Sequence, residues 1–182
     1  MENAFAWLRD IAEWLGRFVP RWVILDTTEG AIKYKGGRTP VVCGPGVHFY
    51  WPARSTFVPY PIARQTDRLE TQTMETADGI TFMASGTLTH EIEDLGLLVP
   101  RTHSPSTTIV DLAMAAVHDI CSDETWAYLN DRKERRKLKT QLKNAAQEQL
   151  KDYGVKVHKL QLNSLVRCRA YKISQSTSTE EN

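Results

Sequence analysis

A strictly alternating segment in the middle of the chain places the strongest constraint on its fold. Between residues 80 and 92 every second residue is apolar or small, with His90 as the exception. A period of two residues puts these side chains on one face of a β-strand. The Asp78-Gly79 pair before it is typical of a hairpin turn, so the polar, threonine-rich segment 66–76 is predicted to be the antiparallel partner. The chain is therefore predicted to fold around a sheet with one buried face.

Shorter β-elements are predicted upstream of this strand. Apolar runs separated by glycine- and proline-containing turns are typical of a small antiparallel subdomain. The predicted strands are 22–25, 31–35, 41–43, 47–52 and 56–60. The first is expected to be buried. Most of the aromatic residues in the last two are expected to form a core: Phe49, Tyr50, Trp51, Phe57 and Tyr60. The alternative is that Phe49, Tyr50 and Trp51 form an exposed loop in contact with a membrane.

Helical periodicity begins after residue 93. Apolar residues between 109 and 120 predict one amphipathic helix, with Ser106 or Thr107 as its N-cap. A short helix is predicted at 123–129, and its acidic first residues suit the positive end of the helix dipole. The second half of the chain is thus predicted to place helices beside the sheet.

A long helix is predicted at about 130–153, followed by a last strand. The helix has a narrow apolar seam, consisting of Leu138, Leu142, Ala146, Leu150 and Tyr153. Gly154 is expected to end it. In the strand that follows, the apolar phase slips by one residue at His158-Lys159. A β-bulge at this point would return Leu160 and Leu162 to the core side.

The N-terminal segment predicts an amphipathic helix. Between residues 4 and 19 the apolar residues follow helical spacing and form one wide, aromatic stripe. They are Trp7, Leu8, Ile11, Trp14, Leu15, Phe18 and Val19. Pro20 ends the helix, whose length of about 24 Å is less than the roughly 30 Å of a bilayer's hydrocarbon core. We predict that it lies on a membrane surface, because Trp prefers the membrane–water interface. Packing on the protein's own core is the alternative.

The composition excludes several classes of protein. Lys and Arg number 23 against 22 Asp and Glu, which argues against a dedicated nucleic-acid binder. The three cysteines have no metal-ligand spacing, so neither structural zinc nor a disulfide framework is expected. The sequence has no phosphate loop, GxSxG elbow or HExxH motif. We therefore predict no catalytic residues, no metal and no cofactor.

Two histidine arrangements have alternative interpretations. His90 lies on the apolar face of its strand and is expected to be a hydrogen-bonded core residue rather than a base. His118-Asp119 with Ser104 or Ser106 forms a triad on paper, which is the basis of an unrecognised-hydrolase hypothesis.

The early turns of the long helix are strongly basic. A solvated helix face is the simplest explanation of this pattern, and contact with an anionic partner is the alternative. Arg132, Arg135 and Arg136 are the candidates for an oligomer interface. Asp123 and Glu124 of a neighbouring copy are the hypothetical acceptors.

Four local strings, in order, resemble the SPFH (Band 7, or prohibitin-homology) domain of stomatins, prohibitins and flotillins. The first is Gly44-Pro45-Gly46-Val47-His48-Phe49 followed by Pro52, and the second is Thr76-Ala77-Asp78-Gly79-Ile80. The third is His90-Glu91-Ile92-Glu93-Asp94. The fourth is Tyr153-Gly154-Val155-Lys156-Val157, continuing into Leu160-Gln161-Leu162. The resemblance spans about residues 22–165.

The resemblance implies an α+β fold of two subdomains, an antiparallel β-rich one at about 22–65 and a mixed α/β one at about 66–165. Residues 1–21 would form the membrane-association helix and 166–182 a C-terminal tail. Members of the family assemble into large rings or cages that organise membrane patches, and their partners include membrane proteases. This chain departs from the usual pattern at both ends. An amphipathic helix is predicted where a transmembrane or hairpin segment is usual, and residues 166–182 do not contain the long coiled coil that typically follows. The chain is therefore expected to be either a minimal member or a truncation.

The sequence therefore favours a non-enzymatic, peripheral membrane scaffold on the cytoplasmic face of a membrane. Its helix at 4–19 would contact the bilayer surface, and its body would form a homo-oligomer that recruits or confines a membrane protease or another membrane protein. The main alternative is a soluble SPFH-like adaptor that regulates a protease or other partner. An unrecognised hydrolase is the third hypothesis.

Overall fold

A computed structural model describes Trp14 and residues 19–168 and shows a mixed α+β fold. Its strands are β1 (Arg21–Leu25), β2 (Glu29–Lys35), β3 (Thr39–Cys43), β4 (Gly46–Tyr50), β5 (Ser55–Pro61), β6 (Gln65–Glu75), β7 (Thr81–Ile92) and β8 (Val155–Arg167). Its helices are α1 (Leu95–Arg101), α2 (Pro105–Asp123), α3 (Trp126–Asn130) and α4 (Arg135–Lys151). The predicted helix at 4–19 lies outside the described residues apart from Trp14 and Val19. The predicted tail at 166–182 overlaps them only at 166–168, where β8 continues to Arg167.

The first five strands form two small antiparallel sheets. β1 pairs with β4, and β2 lies between β3 and β5. Gly36 and Gly37 lie in the turn that joins β2 to β3, which is one of the glycine-containing turns predicted between these strands. The two sheets share a small core of Leu25, Ala31 and Cys43. The Lys33 Nζ donates a 2.8 Å hydrogen bond to the Phe49 carbonyl and so links the sheets directly.

The alternating segment forms β7, the centre of a three-stranded antiparallel sheet in the order β6-β7-β8. Every second residue from Phe82 to Ile92 is buried, whereas the residues between them are partly or fully exposed. The predicted hairpin is confirmed, because Met74 on β6 pairs with Phe82 on β7. The alternation predicted from the sequence therefore corresponds to one face turned toward the core and one turned toward solvent.

The bulge predicted near His158 is confirmed. Thr89 pairs with Lys159 while its neighbour His90 pairs with Val157, which leaves His158 as the extra residue of β8. The extra residue brings the His158 imidazole to the side of the sheet where Glu91 lies, with 2.8 Å between His158 Nε2 and Glu91 Oε2. The β-bulge at His158 thus explains the slip in apolar phase along β8.

Two further bulges lie at the same height on opposite edges of this sheet. Asn163 is the extra residue of β8, and β6 carries an extra residue between Leu69 and Gln72. Gly86 of β7 pairs with Leu69 on one side and with Leu162 on the other. Both edge strands therefore lose their regular hydrogen-bonding ladder next to the same rung.

Helices α2 and α4 pack on the buried face of the sheet. Their inward residues join those of β7 in one large cluster. The seam predicted for the long helix is confirmed at four positions that are buried: Leu138, Leu142, Ala146 and Leu150. Tyr153, the fifth predicted member, is partly buried against the same cluster.

The N-cap predicted for the first long helix is wrong by two residues or more. α2 begins at Pro105 and has Ser104 in the N-cap position, ahead of the predicted Ser106 and Thr107. Proline is favoured at the first helical position because it has no amide hydrogen to leave unsatisfied and its φ is already helical. The preference of proline for the first helical position therefore outweighs the capping preference of Ser106 and Thr107, and the helix begins at Pro105.

Two other helix starts also differ from the predictions. Asp123 and Glu124 end α2 rather than begin α3, whose N-cap is Thr125. α4 begins at Arg135 rather than near 130, because a turn intervenes in which the Asp131 carboxylate accepts from the Lys133 amide. Local side-chain to backbone hydrogen bonds of this kind compete with helix formation.

β2 connects the two halves of the fold. Ala31 belongs to the small core, whereas its neighbour Ile32 is buried in the large cluster. Because successive residues of a strand point to opposite faces, one strand serves both cores. The large cluster also includes Leu95 of α1, which lies directly against Gly30 of β2.

Candidate functional site

The outer face of the β1–β4 sheet is apolar and exposed. Trp22 pairs across the sheet with Phe49, and Ile24 pairs with Val47. These four residues therefore lie on one face, and Trp22 and Ile24 are each 73% exposed, Val47 62% and Phe49 49%. Trp51, two residues beyond Phe49, is also exposed. We call the five residues the apolar face: Trp22, Ile24, Val47, Phe49 and Trp51.

The apolar face is preorganised. The Trp22 and Phe49 rings meet edge to face, with 5.3 Å between their centroids. This is a favourable arrangement for aromatic rings, and it holds both of them upright on the sheet. Contiguous exposed apolar patches on a soluble surface mark sites that bind another apolar surface. The prediction that 22–25 is buried is wrong at Trp22 and Ile24, because within the described residues no layer covers the outside of this two-stranded sheet.

The predicted aromatic cluster is divided between two faces. Phe49 and Trp51 belong to the apolar face, whereas Tyr50 lies on the opposite side of the sheet and stacks on Phe57 at 5.6 Å. Tyr60 packs against the large core. The expectation that most of the cluster forms core is confirmed only in part. Phe57 and Tyr60 pack against the two cores, but none of the five aromatics is fully buried.

The N-terminal stripe enters β1 directly. Of the predicted membrane-binding residues, Trp7, Leu8, Ile11, Leu15 and Phe18 lie outside the described residues. Trp14 has helical backbone and is 58% exposed, and Val19 is equally exposed. Only Pro20 and Arg21 separate Val19 from Trp22, so the end of the stripe and the apolar face are adjacent in the chain. No helix within the described residues has both the length and the apolarity needed to cross a bilayer.

The predicted oligomer residues lie on the exposed side of α4 and of the turn before it. Arg132, Arg135 and Arg136 are exposed, and no ion pair joins them to another described residue. The hypothetical acceptors Asp123 and Glu124 lie just before the short helix α3, which ends next to this turn. In the chain, only α3 and the start of the turn after it therefore separate the acidic pair from the basic residues.

The hypothetical hydrolase triad cannot form. His118 Nδ1 lies 3.8 Å from Asp119 Oδ1, with both side chains exposed. Ser104 and Ser106 lie at the start of the same helix, about 18–21 Å away at the helical rise of 1.5 Å per residue. Within the described residues, no group of three His, Cys, Asp or Glu is placed to hold a metal ion. Cys43 and Cys121 are buried, and burial raises the pKa of the Cys121 thiol to about 11.

His90 is a core residue, as the sequence predicted. It is 1% exposed, and its Nε2 lies 3.2 Å from the Gln65 amide nitrogen, which donates to it when this ring nitrogen is unprotonated. Its Nδ1 lies 3.8 Å from Asp67 Oδ2. Burial lowers the pKa of His90 below 6.5, against the attraction of Asp67 and together with the repulsion of His158. The imidazole is therefore neutral in the folded protein near pH 7.

Acidification is expected to destabilise the protein in two separable steps. Below about pH 6.5 the unfolded chain binds a proton at residue 90 that the folded protein binds less readily, so stability falls by up to about 1.4 kcal/mol per pH unit. The lowered pKa values of the Asp78 and Glu91 carboxylates place their contribution at lower pH. Urea denaturation of wild type and His90→Gln between pH 7 and 5 measures the difference. A slope that is unchanged in the variant would show that His90 is not the group responsible.

Comparison with known protein families identifies a match. The model of the family described as "SPFH domain / Band 7 family" matches residues 22–181. The match begins at Trp22 on the apolar face and covers all but one of the described strands completely, β1 being covered from its second residue. No curated protein matches the chain.

Proposed function

Because the chain belongs to the SPFH domain / Band 7 family, we propose that it is a membrane-associated scaffold whose apolar face lies against a bilayer. SPFH domains have a scaffold-type function at membranes in general, and members of the family associate with membranes and oligomerise. The proposal assigns the membrane contact of this chain to particular residues.

One observation carries the proposal. Trp22, Ile24, Val47 and Phe49 form two cross-strand pairs that all face outward. Tryptophan and phenylalanine with branched aliphatic side chains are the residues of interfacial membrane contacts, because the rings enter the acyl boundary while the backbone stays at headgroup level. The chain carries a formal charge of +1, so apolar burial rather than attraction to anionic lipid would supply the affinity.

The N-terminal stripe would extend this contact. A helix at 4–19 presenting Trp7, Trp14 and Phe18 would lie in the same interface as the apolar face, to which Val19 and Pro20 connect it. The association would be peripheral and on the cytoplasmic side. On this membrane the body would self-associate through the basic surface at Arg132, Arg135 and Arg136, and it would hold a membrane protease or another membrane protein in place.

Charged substitutions on the apolar face are expected to release the protein from membranes. In Trp22→Glu/Phe49→Glu, each lost side chain removes about 1.5–3 kcal/mol of burial, so partitioning should fall by about one to two orders of magnitude per site. Flotation of the full-length protein with phosphatidylcholine vesicles measures the bound fraction. Deletion of residues 1–20, alone and combined with the double variant, separates the contribution of the stripe.

Met83→Glu is the matched control for this experiment. Met83 is an exposed apolar residue of accessibility similar to that of Phe49, but it lies on β7 in the β6-β7-β8 sheet. It should leave flotation unchanged. If the wild-type protein does not float, or if Met83→Glu reduces binding as much as the double variant, the proposal is wrong. An apolar face that binds no vesicles would favour the soluble-adaptor hypothesis, in which the same residues dock on a partner protein.

A further inference from the structure

The two edges of the β6-β7-β8 sheet carry grooves of opposite charge. At the β8 edge, a groove of about 360 Å³ lies between α4 and the bulge at Asn163, and Arg135 and Lys139 line it. At the β6 edge, a groove of about 380 Å³ lies between α2 and the β6 bulge. Asp67, Glu70 and Asp111 line this second groove, with Arg68 as its basic residue. We call them the basic groove and the acidic groove.

The charges that line the grooves are mostly unpaired. Among the described residues, Arg135 and Lys139 form no ion pair, and neither do Glu70 and Asp111. Asp67 lies 3.8 Å from the His90 ring, which is neutral near pH 7 and therefore does not pair with its charge. Charged side chains that converge on a groove without a partner are suited to a partner of the opposite sign.

The grooves lie at the same height on the sheet. Both bulges adjoin the rung of Gly86, with Leu69 on the acidic side and Leu162 on the basic side. A copy displaced sideways along the hydrogen-bonding direction of the sheet would therefore bring its acidic groove to the basic groove of its neighbour. The bulges disrupt the ladders of β6 and β8, so side chains rather than added strand pairing would make this contact.

We propose that a second copy of this chain occupies the basic groove, with its acidic groove facing Arg135 and Lys139. The contact is heterologous, since different surfaces of the two copies meet and each copy keeps one groove free. Such a contact repeats in one direction and produces a ring or a filament rather than a closed dimer. The inference rests on the proposed self-association and names the surfaces that carry it.

The geometry distinguishes this contact from the one through Asp123 and Glu124. Those two residues lie at the C-terminal end of α2, where the Glu124 carbonyl accepts a hydrogen bond from the Ala77 amide after β6, and they line neither groove. Pairing them with the basic residues of another copy would leave the acidic groove without a partner. The acidic groove lies at the β6 edge of the sheet, opposite the β8 edge that carries the basic groove, as a repeating contact requires.

A charge-swap experiment on the full-length protein tests the proposal. The variants are Arg135→Glu/Lys139→Glu, with the basic groove reversed, and Glu70→Lys/Asp111→Lys, with the acidic groove reversed. Each alone should raise the dissociation constant of self-assembly at least about tenfold, because like charges then face each other. An equimolar mixture of the two should assemble again, since every contact between unlike copies is complementary. Sedimentation velocity measures the assembly in solution, and crosslinking measures it on phosphatidylcholine vesicles.

Asp123→Lys/Glu124→Lys is the matched control, and it should assemble like wild type. Wild-type assembly should also weaken as salt shortens the Debye length from about 10 Å at 0.1 M to about 3 Å at 1 M. The proposal is overturned if the acidic-groove variant assembles normally, if the mixture fails to assemble, or if the control loses assembly. It is also overturned if reversal of Arg135 and Lys139 abolishes only binding to anionic vesicles. Wild-type protein that stays monomeric under every condition would instead show that self-association itself, and with it the proposed function, fails.

Discussion

Replacement of Gly154 by alanine is expected to lower the free energy of unfolding by about 2–5 kcal/mol. Gly154 has φ of +69°, a conformation that costs an L-residue about 1–2 kcal/mol. A Cβ at this position would also lie 2.7 Å from the Asp94 carbonyl oxygen and 2.9 Å from the Asp94 Cβ. Backbone atoms would have to move to relieve this overlap, at a typical cost of about 1–3 kcal/mol.

Gly154 lies close to Asp94 because hydrogen bonds link the segments that contain these two residues. Its carbonyl accepts hydrogen bonds from the amides of Glu93 and Asp94, at 2.9 and 3.0 Å. The turn after α4 is thus fixed to the turn after β7. Urea denaturation of wild type and Gly154→Ala measures the loss of unfolding free energy, provided that the m-value is unchanged.

Gly79→Ala is the control for Gly154→Ala. Gly79 has a similar φ of +73°, but the nearest atom to its added Cβ would be Glu75 Oε1 at 3.7 Å. Gly79→Ala should lose only the unfolding free energy that corresponds to the cost of a positive φ for alanine, about 1–2 kcal/mol. Equal losses in the two variants would mean that contact with Asp94 contributes nothing.

Replacement of Phe82 by alanine is expected to cost about 3–5 kcal/mol. Phe82 is completely buried at the start of β7, and its ring lies 5.8 Å from the ring of Trp126 on α3. Truncation would leave a cavity between sheet and helix that neither rigid element can close. Thermal and urea denaturation measure the change.

Met83→Ala tests the same strand on its other face. Met83 is the next residue and is 41% exposed, so its truncation should cost about 0.5 kcal/mol or less. The difference between the two losses in stability would reflect the alternation of β7, in which one face is buried and the other is exposed. Comparable losses at both positions would contradict the assignment of the faces.

The parts of the fold that the sequence predicts are those with a local signal. The strand at β7, its hairpin with β6 and the bulge at His158 all follow from the spacing of apolar residues along a single segment. The bulge at Asn163 was not predicted, although the step from Leu162 to Leu165 spans three residues like the step from Val157 to Leu160. The adjacent apolar pair Leu165-Val166 obscures this second change of phase. The N-cap at Ser104 depends on Pro105, a preference that acts within one turn of the backbone.

The candidate sites are less predictable because tertiary packing decides them. Trp22 and Ile24 belong to an apolar run that has the same composition as a buried strand. Their exposure follows from the lack of any described layer over β1 and β4, which no local pattern encodes. The acidic groove combines Asp67 and Asp111 from a strand and a helix that are distant in the chain. Sequence spacing cannot indicate such a pairing.

The uneven size of the two cores has a mechanical consequence. Among the described residues, β1 and β4 adjoin a small cluster whose buried members are Leu25, Ala31 and Cys43, whereas β7 belongs to the large cluster. Local opening requires less free energy where fewer apolar contacts must separate. The β1–β4 sheet is therefore expected to be the compliant part of the molecule. On the proposed membrane it would adapt to bilayer curvature and lipid packing while the β6-β7-β8 sheet keeps its shape. A scaffold built in this way would follow an undulating surface without transmitting each deformation to the proposed contacts between its subunits.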